Sequence, residues 1–260
     1  MNIAIFITNR CIRLIGNLFK MLSYPFHLLF PRTRFTIPVY SKAKVGWSNT
    51  GKIPRTIWQT NYSNRCTLPV YLNYLFNRLM SLDYDYRYVS TEDREIFMRD
   101  HAPEHVYRAY QQLTDGAAQA DLWRLTVLHQ QGGIYMDIDA TLVWPLRKLL
   151  KNEQEALYIK FKKGNTDYTN FFLATVPNNP HYKLIMDTIV HNIENYDVKK
   201  GVYGTTGPEA LNSVLQGKKV HALGRNYVCI QGTFTNEHFQ YLDKPQGKWT
   251  HQDPKNLIKK

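Results

Sequence analysis

Gly133-Ile134-Tyr135-Met136-Asp137-Ile138-Asp139 carries an apolar strand into two carboxylates one residue apart. Side chains two apart on a strand share a face, so Asp137 and Asp139 are expected to converge while Ile138 turns into the core. Two converging carboxylates suit a hard, oxygen-preferring divalent cation such as Mg2+ or Mn2+. A lone D-x-D also occurs on solvated loops, so its reading depends on what precedes it.

Working outward, Asp115 to Gly133 reads as one buried helix. Asp115 is placed to cap it, alanines and leucines favour it, and Gly132-Gly133 supply a left-handed stop before the strand. Asp121 and Arg124 are three apart and therefore on one helical face. A surface ion pair is worth under about 1 kcal/mol. Among alanines, leucines and a tryptophan, unpaired charge is costly, which points instead to a pair kept for a task.

The pattern A-D-x-x-R followed by G-G-x-Y-x-D-x-D resembles the glycosyltransferases with a DXD sugar-binding motif, the group of the yeast Och1-type mannosyltransferases (glycosyltransferase family 32), with the clostridial glucosylating toxins as distant relatives. The match is specific over Ile53 to Leu149 and looser to Trp249, with Ile53-Pro54-Arg55-Thr56-Ile57, Asn170-Phe171-Phe172 and Thr206-Gly207-Pro208 adding to it. The resemblance implies a GT-A fold, a nucleotide-sugar donor, a divalent cation and retention of anomeric configuration. It assigns direct metal ligation to Asp139, and hydroxyl binding with water-mediated metal support to Asp137. Asp121 and Arg124 would hold donor-sugar hydroxyls, with Arg124 also near the leaving phosphate.

Other positions carry weaker resemblance. Tyr135 is a donor contact or core; Asn170 a donor contact or a strand-end cap. Trp58 stands at the family's histidine position and Asn61 at its tryptophan position, so base stacking falls to Trp58 or Tyr62. Thr206-Gly207-Pro208 opens a helix whose N–H groups suit phosphate or sugar oxygens. The C-terminal metal ligand would be His238, His251 or neither, around Gly247-Lys248-Trp249, with lysine where the family has serine; Trp249 would lie near the diphosphate. Lys244 and Lys248 are possible phosphate contacts.

The 260 residues suffice for one sizeable α/β domain. The net charge of +12 favours anionic partners without choosing among them. Cys11, Cys66 and Cys229 are odd in number and far apart, which argues for a reducing compartment and against zinc. Near the N-terminus Leu14, Ile15, Leu18, Phe19, Leu22 and Phe26 recur at helical spacing, predicting an interfacial amphipathic helix on an anionic leaflet. Residues 1–40 are thus read as a membrane-associating segment whose Pro31–Pro38 stretch is a connector, and residues 41–260 as the transferase domain, with Lys42–Lys52 a basic loop.

Alternating elements follow: strands at Ile53–Gln59, Tyr86–Ser90, Ala156–Phe161, Asn170–Val176 and Lys219–Ile230, and helices at Pro69–Leu79, Glu92–Asp100, Glu104–Leu113, Pro145–Leu150, His181–Glu194 and from Gly207-Pro208. That order predicts a nucleotide-binding α/β sheet flanked by helices.

The reading is a retaining, metal-dependent transferase that takes a UDP-sugar, with GDP-mannose the main competitor. It would act on a glycan or glycolipid in bacterial surface polysaccharide or lipo-oligosaccharide (lipopolysaccharide) synthesis, peripheral on the cytoplasmic side of the inner membrane or, alternatively, lumenal on a Golgi membrane. A basic nucleic-acid or anionic-lipid module and a nucleotide-sugar hydrolase are the alternatives. Scattered cations and a carboxylate-rich cluster disfavour nucleic acid.

Overall fold

The computed structural model describes residues 3–46, 51–150, 154–161 and 167–259. In chain order its strands are β1 (Phe35–Thr36), β2 (Tyr40–Ser41), β3 (Thr56–Thr60), β4 (Arg65–Cys66), β5 (Asp85–Val89), β6 (Gly133–Met136), β7 (Ala140–Leu142), β8 (Ala156–Lys160), β9 (Tyr168–Thr175), β10 (Ala222–Gly224) and β11 (Cys229–Gln231). Seven form a mixed sheet of order β10-β8-β9-β6-β3-β5-β2. At its centre β6, β3 and β5 run parallel, while β9 is antiparallel to both β6 and β8. Two small antiparallel ribbons, β1 with β4 and β7 with β11, lie outside it.

Period-two alternation divides the core into two layers. Ile57 and Ile134, which are paired in register, pack with Val70 and Tyr74 of the helix Leu68–Leu79. Their neighbours Trp58 and Tyr135 face the other way, onto Leu122, Trp123 and Leu125 of the helix Gly116–Gln131. That second helix is buried on nearly every side from Ala120 to Leu128, between the helices Thr91–His101 and Pro180–Glu194 and the sheet.

Its ends follow the sequence expectation. The Asp115 carboxylate accepts from Ala117 N at 2.8 Å and Ala118 N at 3.0 Å. Gly132 (φ +66°) stops it, and Gly133 (φ +101°) starts β6 so close to β3 that a Cβ would lie 2.6 Å from Thr56 O.

Three expectations need correction. β6 ends at Met136, so Asp137 and Asp139 sit in a turn closed by Ala140 N donating to Asp137 O at 3.0 Å; the turn, not strand alternation, brings them together. Lys219–Ile230 is broken into β10, a helical turn Arg225–Val228 and β11, because β10 pairs with β8 in the main sheet whereas β11 pairs with β7 in a separate ribbon. The stretch read as a connector contributes β1 and the buried Ile37, since Ile37 N and O both bond to Asn64. The proposed basic loop Lys42–Lys52 includes residues 47–50, which lie outside the described residues.

The N-terminal helix runs Ile3–Leu29 and packs on the body along Asn9, Ile12, Gly16, Ser23 and His27. No helix among the described residues is long and apolar enough to cross a membrane.

Candidate active site

Beyond the carboxyl ends of β3, β5 and β6 opens a cleft of about 830 Å³, where ligands bind in open α/β sheets. β3 delivers Thr60, Asn61 and Tyr62 to its wall; β5 leads to Thr91 and Arg94, and β6 to Asp137 and Asp139. Because β9 is antiparallel, its opposite end supplies Thr169, Asn170 and Phe171.

Arg124 ties the floor together. Its Nη2 meets Asp121 Oδ1 at 2.9 Å, and Nη1 donates to Asp137 Oδ1 at 3.2 Å and to Asn170 O at 2.8 Å. The guanidinium lies 4.3 Å from the Tyr135 ring centroid, and the Tyr135 hydroxyl donates to Asp137 Oδ1 at 2.7 Å. Asp121 also accepts from Asn170 Nδ2 on Oδ1 and from Thr206 Oγ1 on Oδ2, both at 3.0 Å. Side-chain exposures of 7% and 8% make Arg124–Asp121 a buried pair, unlike Asp137, whose carboxylate is 26% open to the cleft.

Two asparagines one helical turn apart hold the DXD turn from behind. Asn73 Nδ2 donates to Ile138 O and Ala140 O, each at 2.9 Å, and Asn77 Nδ2 to Ala140 O at 2.7 Å. Gln59 Nε2 donates to Asp137 O at 3.0 Å and is itself fixed by the Tyr86 hydroxyl. In front, Gln231 Nε2 bridges Asp137 Oδ2 at 3.2 Å and Asp139 Oδ1 at 3.3 Å.

Burial, and then the neighbouring Asp137 charge, push the Asp139 carboxyl up to about 7, against the donation from Gln231. Burial also raises Asp137, against Arg124 and the Tyr135 hydroxyl. Asp121 is pushed up to about 7 by burial, with Arg124 opposing. Arg124 stays charged throughout, its own pKa raised by Tyr135 and the two carboxylates against burial. Each carboxylate therefore sits in an environment that asks for positive charge.

The donor set fits a divalent cation. Asp137 and Asp139 present hard oxygens close enough for a single amide nitrogen to bridge them, and their mutual repulsion is what a cation relieves. Among the described residues, no three side chains of His, Cys, Asp and Glu converge into a metal cluster.

Asp121, Arg124, Tyr135, Asp137, Asn170 and Thr206 form one hydrogen-bonded unit, with Asp139 beside it through Gln231. Other expected residues are placed elsewhere. Trp58 is buried under the sheet, its Nε1 donating to Gly132 O at 3.0 Å, whereas Tyr62 lines the cleft. Gly207 lines it too, but Thr206 N and Gly207 N both donate to Val202 O, so neither is free for a phosphate. His238 stacks on Tyr24 of the N-terminal helix, and His251 is exposed in the turn Trp249–His251, away from the cleft lining. The Trp249 side chain is outside the described set.

Lys244 and Lys248 do line the cleft; Lys248 Nζ pairs with Glu237 at 2.5 Å and Lys244 Nζ lies 5.7 Å from the Tyr62 ring centroid. Sequence reasoning missed Asn73, Asn77, Gln59, Gln231 and Arg94, which are neutral amides and an arginine without motif spacing. Arg94 is a buried cation in the cleft wall held by Gly116 O at 3.0 Å and Thr91 Oγ1 at 3.2 Å.

The family profile described as a glycosyltransferase sugar-binding region containing a DXD motif matches residues 69–156. That stretch holds Asn73, Asn77, Arg94, the Asp121–Arg124 pair and the DXD turn. Among solved structures the chain is similar to the PaToxG glycosyltransferase, at 17% identity and TM-score 0.53, covering 83% of this chain and 79% of that one. It is also similar to the glycosyltransferase domain of the YGT toxin, ligand-free (16% identity, TM-score 0.40, 58% of this chain and 54% of that one) and UDP-bound (15%, 0.37, 62% and 56%). The chain thus spans a little over half the length of the YGT domains. No curated protein matches it. The architecture is glycosyltransferase-like: a mixed sheet flanked by helices, with an additional N-terminal helix.

Proposed function

We propose that the chain is a metal-dependent, retaining glycosyltransferase that moves a sugar from a nucleotide diphosphate, a UDP-sugar ahead of GDP-mannose, to a glycan or glycolipid acceptor. The observation that carries this is the Arg124 hub, which fastens Asp121, Asp137 and Asn170 into one rigid floor beside Asp139. Mn2+ or Mg2+ held by Asp139 and Asp137 would act as a Lewis acid toward the leaving diphosphate.

The protein's own part is to hold and orient. Both Asp121 oxygens are engaged, by Arg124, Asn170 and Thr206, as are both Asp137 oxygens, by Arg124, Tyr135 and Gln231. Carboxylates held by several donors, with acceptor capacity left on one oxygen, serve as fixed acceptors for sugar hydroxyls better than as nucleophiles. This favours attack on the same face as the departing phosphate, which takes the acceptor proton. Trapping a covalent glycosyl-enzyme on a carboxylate would exclude that route. Arg124, buried and bonded through all three of its nitrogens, offers a preorganised positive field at little reorganisation cost.

The test is sugar release from a panel of UDP- and GDP-sugars with Mn2+, with and without chelator, comparing wild type with Asp139→Ala. Metal-dependent turnover of one donor, lost in the variant, is the expected result; no turnover of any donor in folded protein with acceptor extracts present counts against the assignment. Turnover that does not depend on acceptor would make the enzyme a nucleotide-sugar hydrolase.

Peripheral membrane attachment is part of the same proposal and fits bacterial surface glycan synthesis at the cytoplasmic leaflet. The N-terminal helix turns Asn9, Ile12, Gly16, Ser23 and His27 to the protein, whereas Ile3, Ile7, Leu14, Leu18, Met21 and Leu28 face outward. The sequence has no Asp or Glu before Asp83 but eleven Lys and Arg in that stretch. An exposed apolar face in an acid-free, cationic stretch of chain suits an anionic phospholipid surface. Sedimentation with anionic vesicles tests it.

A further inference from the structure

The short ribbon of β7 and β11 has no obvious part in the core sheet, yet its register decides what stands in front of the DXD turn. Gln231 pairs with Ala140, the residue immediately after Asp139. The strand is firmly mounted, with Cys229 and Ile230 buried, and the next residue is pinned by Lys20 Nζ donating to Gly232 O at 2.8 Å. The Gln231 side chain is thus delivered to one point by fixed backbone, as a functional side chain requires.

At that point its amide nitrogen sits 3.2 Å from Asp137 Oδ2 and 3.3 Å from Asp139 Oδ1, the place between two carboxylates that a cation takes. An NH2 group there neutralises little of their repulsion. The terminal torsion of glutamine is broad and close to two-fold, so a half-turn exchanges nitrogen for oxygen at small cost and without moving the backbone. Amide carbonyl oxygen is an ordinary ligand for hard divalent cations. Glu237, the other carboxylate on this wall, is engaged by Lys248 at 2.5 Å, and the histidines expected to complete the site lie away from the cleft lining.

We propose that Gln231 is a protein ligand of the divalent cation: its Nε2 holds Asp137 and Asp139 in the metal-free form, and its Oε1 replaces it when the cation enters. This rests on the metal-dependent reading above and names a ligand in that site.

The test is Mn2+ binding to full-length protein, by electron paramagnetic resonance of free Mn2+ and by calorimetry, with no sugar donor present, for wild type, Asp139→Ala, Gln231→Ala and Gln231→Glu. Thermal melting of each protein reports folding separately. Gln231→Ala should weaken Mn2+ binding by about tenfold or more, while Gln231→Glu, which supplies an anionic oxygen, should match or exceed wild type. If Gln231 only positions the aspartates, Gln231→Glu will bind Mn2+ as poorly as Gln231→Ala, because it has no N–H to donate. If it only competes with the cation, Gln231→Ala will bind as well as wild type or better. Either result overturns the ligand role but leaves the cation site standing, provided Asp139→Ala loses binding. Absence of Mn2+ binding to wild type would overturn the site and the ligand together.

Discussion

At the scale of single residues, removing the Arg124 cation and removing the Asp139 charge should act on stability in opposite ways. Asp121 and Arg124 are buried together, so Arg124→Ala leaves one carboxylate buried without its cation and a second with one donor fewer. It should cost about 3–5 kcal/mol of stability as well as donor binding, measured by urea denaturation. Asp139 contributes charge that the metal-free fold resists. Its carboxyl titrates at about 7 in the folded chain, against about 3.9 unfolded. Between those values the folded state binds the extra proton, so its ionisation removes stability as pH rises from about 4 to about 7, and the penalty is constant above that. Asp139→Asn should therefore match wild type near pH 4 and melt at higher temperature than wild type at pH 8 without divalent cation. Equal melting temperatures at both pH values would show that Asp139 is not under this strain.

At the scale of elements, what positions the site is a glycine junction and a pair of helical amides. Gly133 has φ +101° and no room for a Cβ beside Thr56 O, so Gly133→Ala should destabilise the chain by about 1–3 kcal/mol or more and displace the DXD turn. Asn73→Ala strips a donor from Ile138 O and one of the two asparagine donors from Ala140 O, at a cost of about 1–3 kcal/mol. It should weaken Mn2+ binding although Asn73 touches no carboxylate. Unchanged affinity would separate the turn's geometry from the cation site. These elements also show how far sequence could be read. The capped helix, the Gly-Gly stop and the Asp121–Arg124 face announce themselves through local chemistry, and the structure joins them to Asn170 and Thr206. The DXD carboxylates were placed together for the wrong local reason, since a turn and not a strand carries them. Asn73, Asn77 and Gln231 were illegible, because a neutral amide acquires meaning only from which carbonyl or carboxylate the tertiary fold sets before it. Trp58 and His238 failed in the other direction: aromatic type and position in a motif do not say which face of the sheet or which helix a ring will pack on.

At the scale of the whole molecule, the distribution of surface decides how the cleft meets its acceptor. A surface helix ordinarily buries an apolar stripe and exposes polar residues, whereas the N-terminal helix buries Asn9, Gly16, Ser23 and His27 beside Ile12: Asn9 donates to Asn226 O at 2.7 Å and His27 Nε2 accepts from Leu68 N at 3.1 Å. Gly16 lets it sit against Thr233, where a Cβ would come within 2.5 Å of the threonine methyl. Its attachment is therefore specific and does not depend on the apolar face, on which Leu14 is 74% and Leu18 54% exposed. The double variant Leu14→Glu with Leu18→Glu should consequently keep the wild-type melting temperature, because neither side chain leaves a core. It should lose sedimentation with phosphatidylglycerol vesicles, because burial of apolar area supplies the attachment. The cationic N-terminal stretch adds an electrostatic share, so wild-type binding should weaken between about 0.1 and 1 M salt, as the screening length falls from about 10 to 3 Å, and should be poorer on zwitterionic vesicles at low salt. A double variant that still sediments with vesicles would remove the helix face from the contact. A double variant that instead converts a dimer to a monomer, with no wild-type vesicle binding to lose, would make a second copy of the chain the partner of this face. The helix also touches the loop after Gln231, through Lys20 and Gly232, so a chain bound by this face carries its cation site in a fixed relation to the lipid surface.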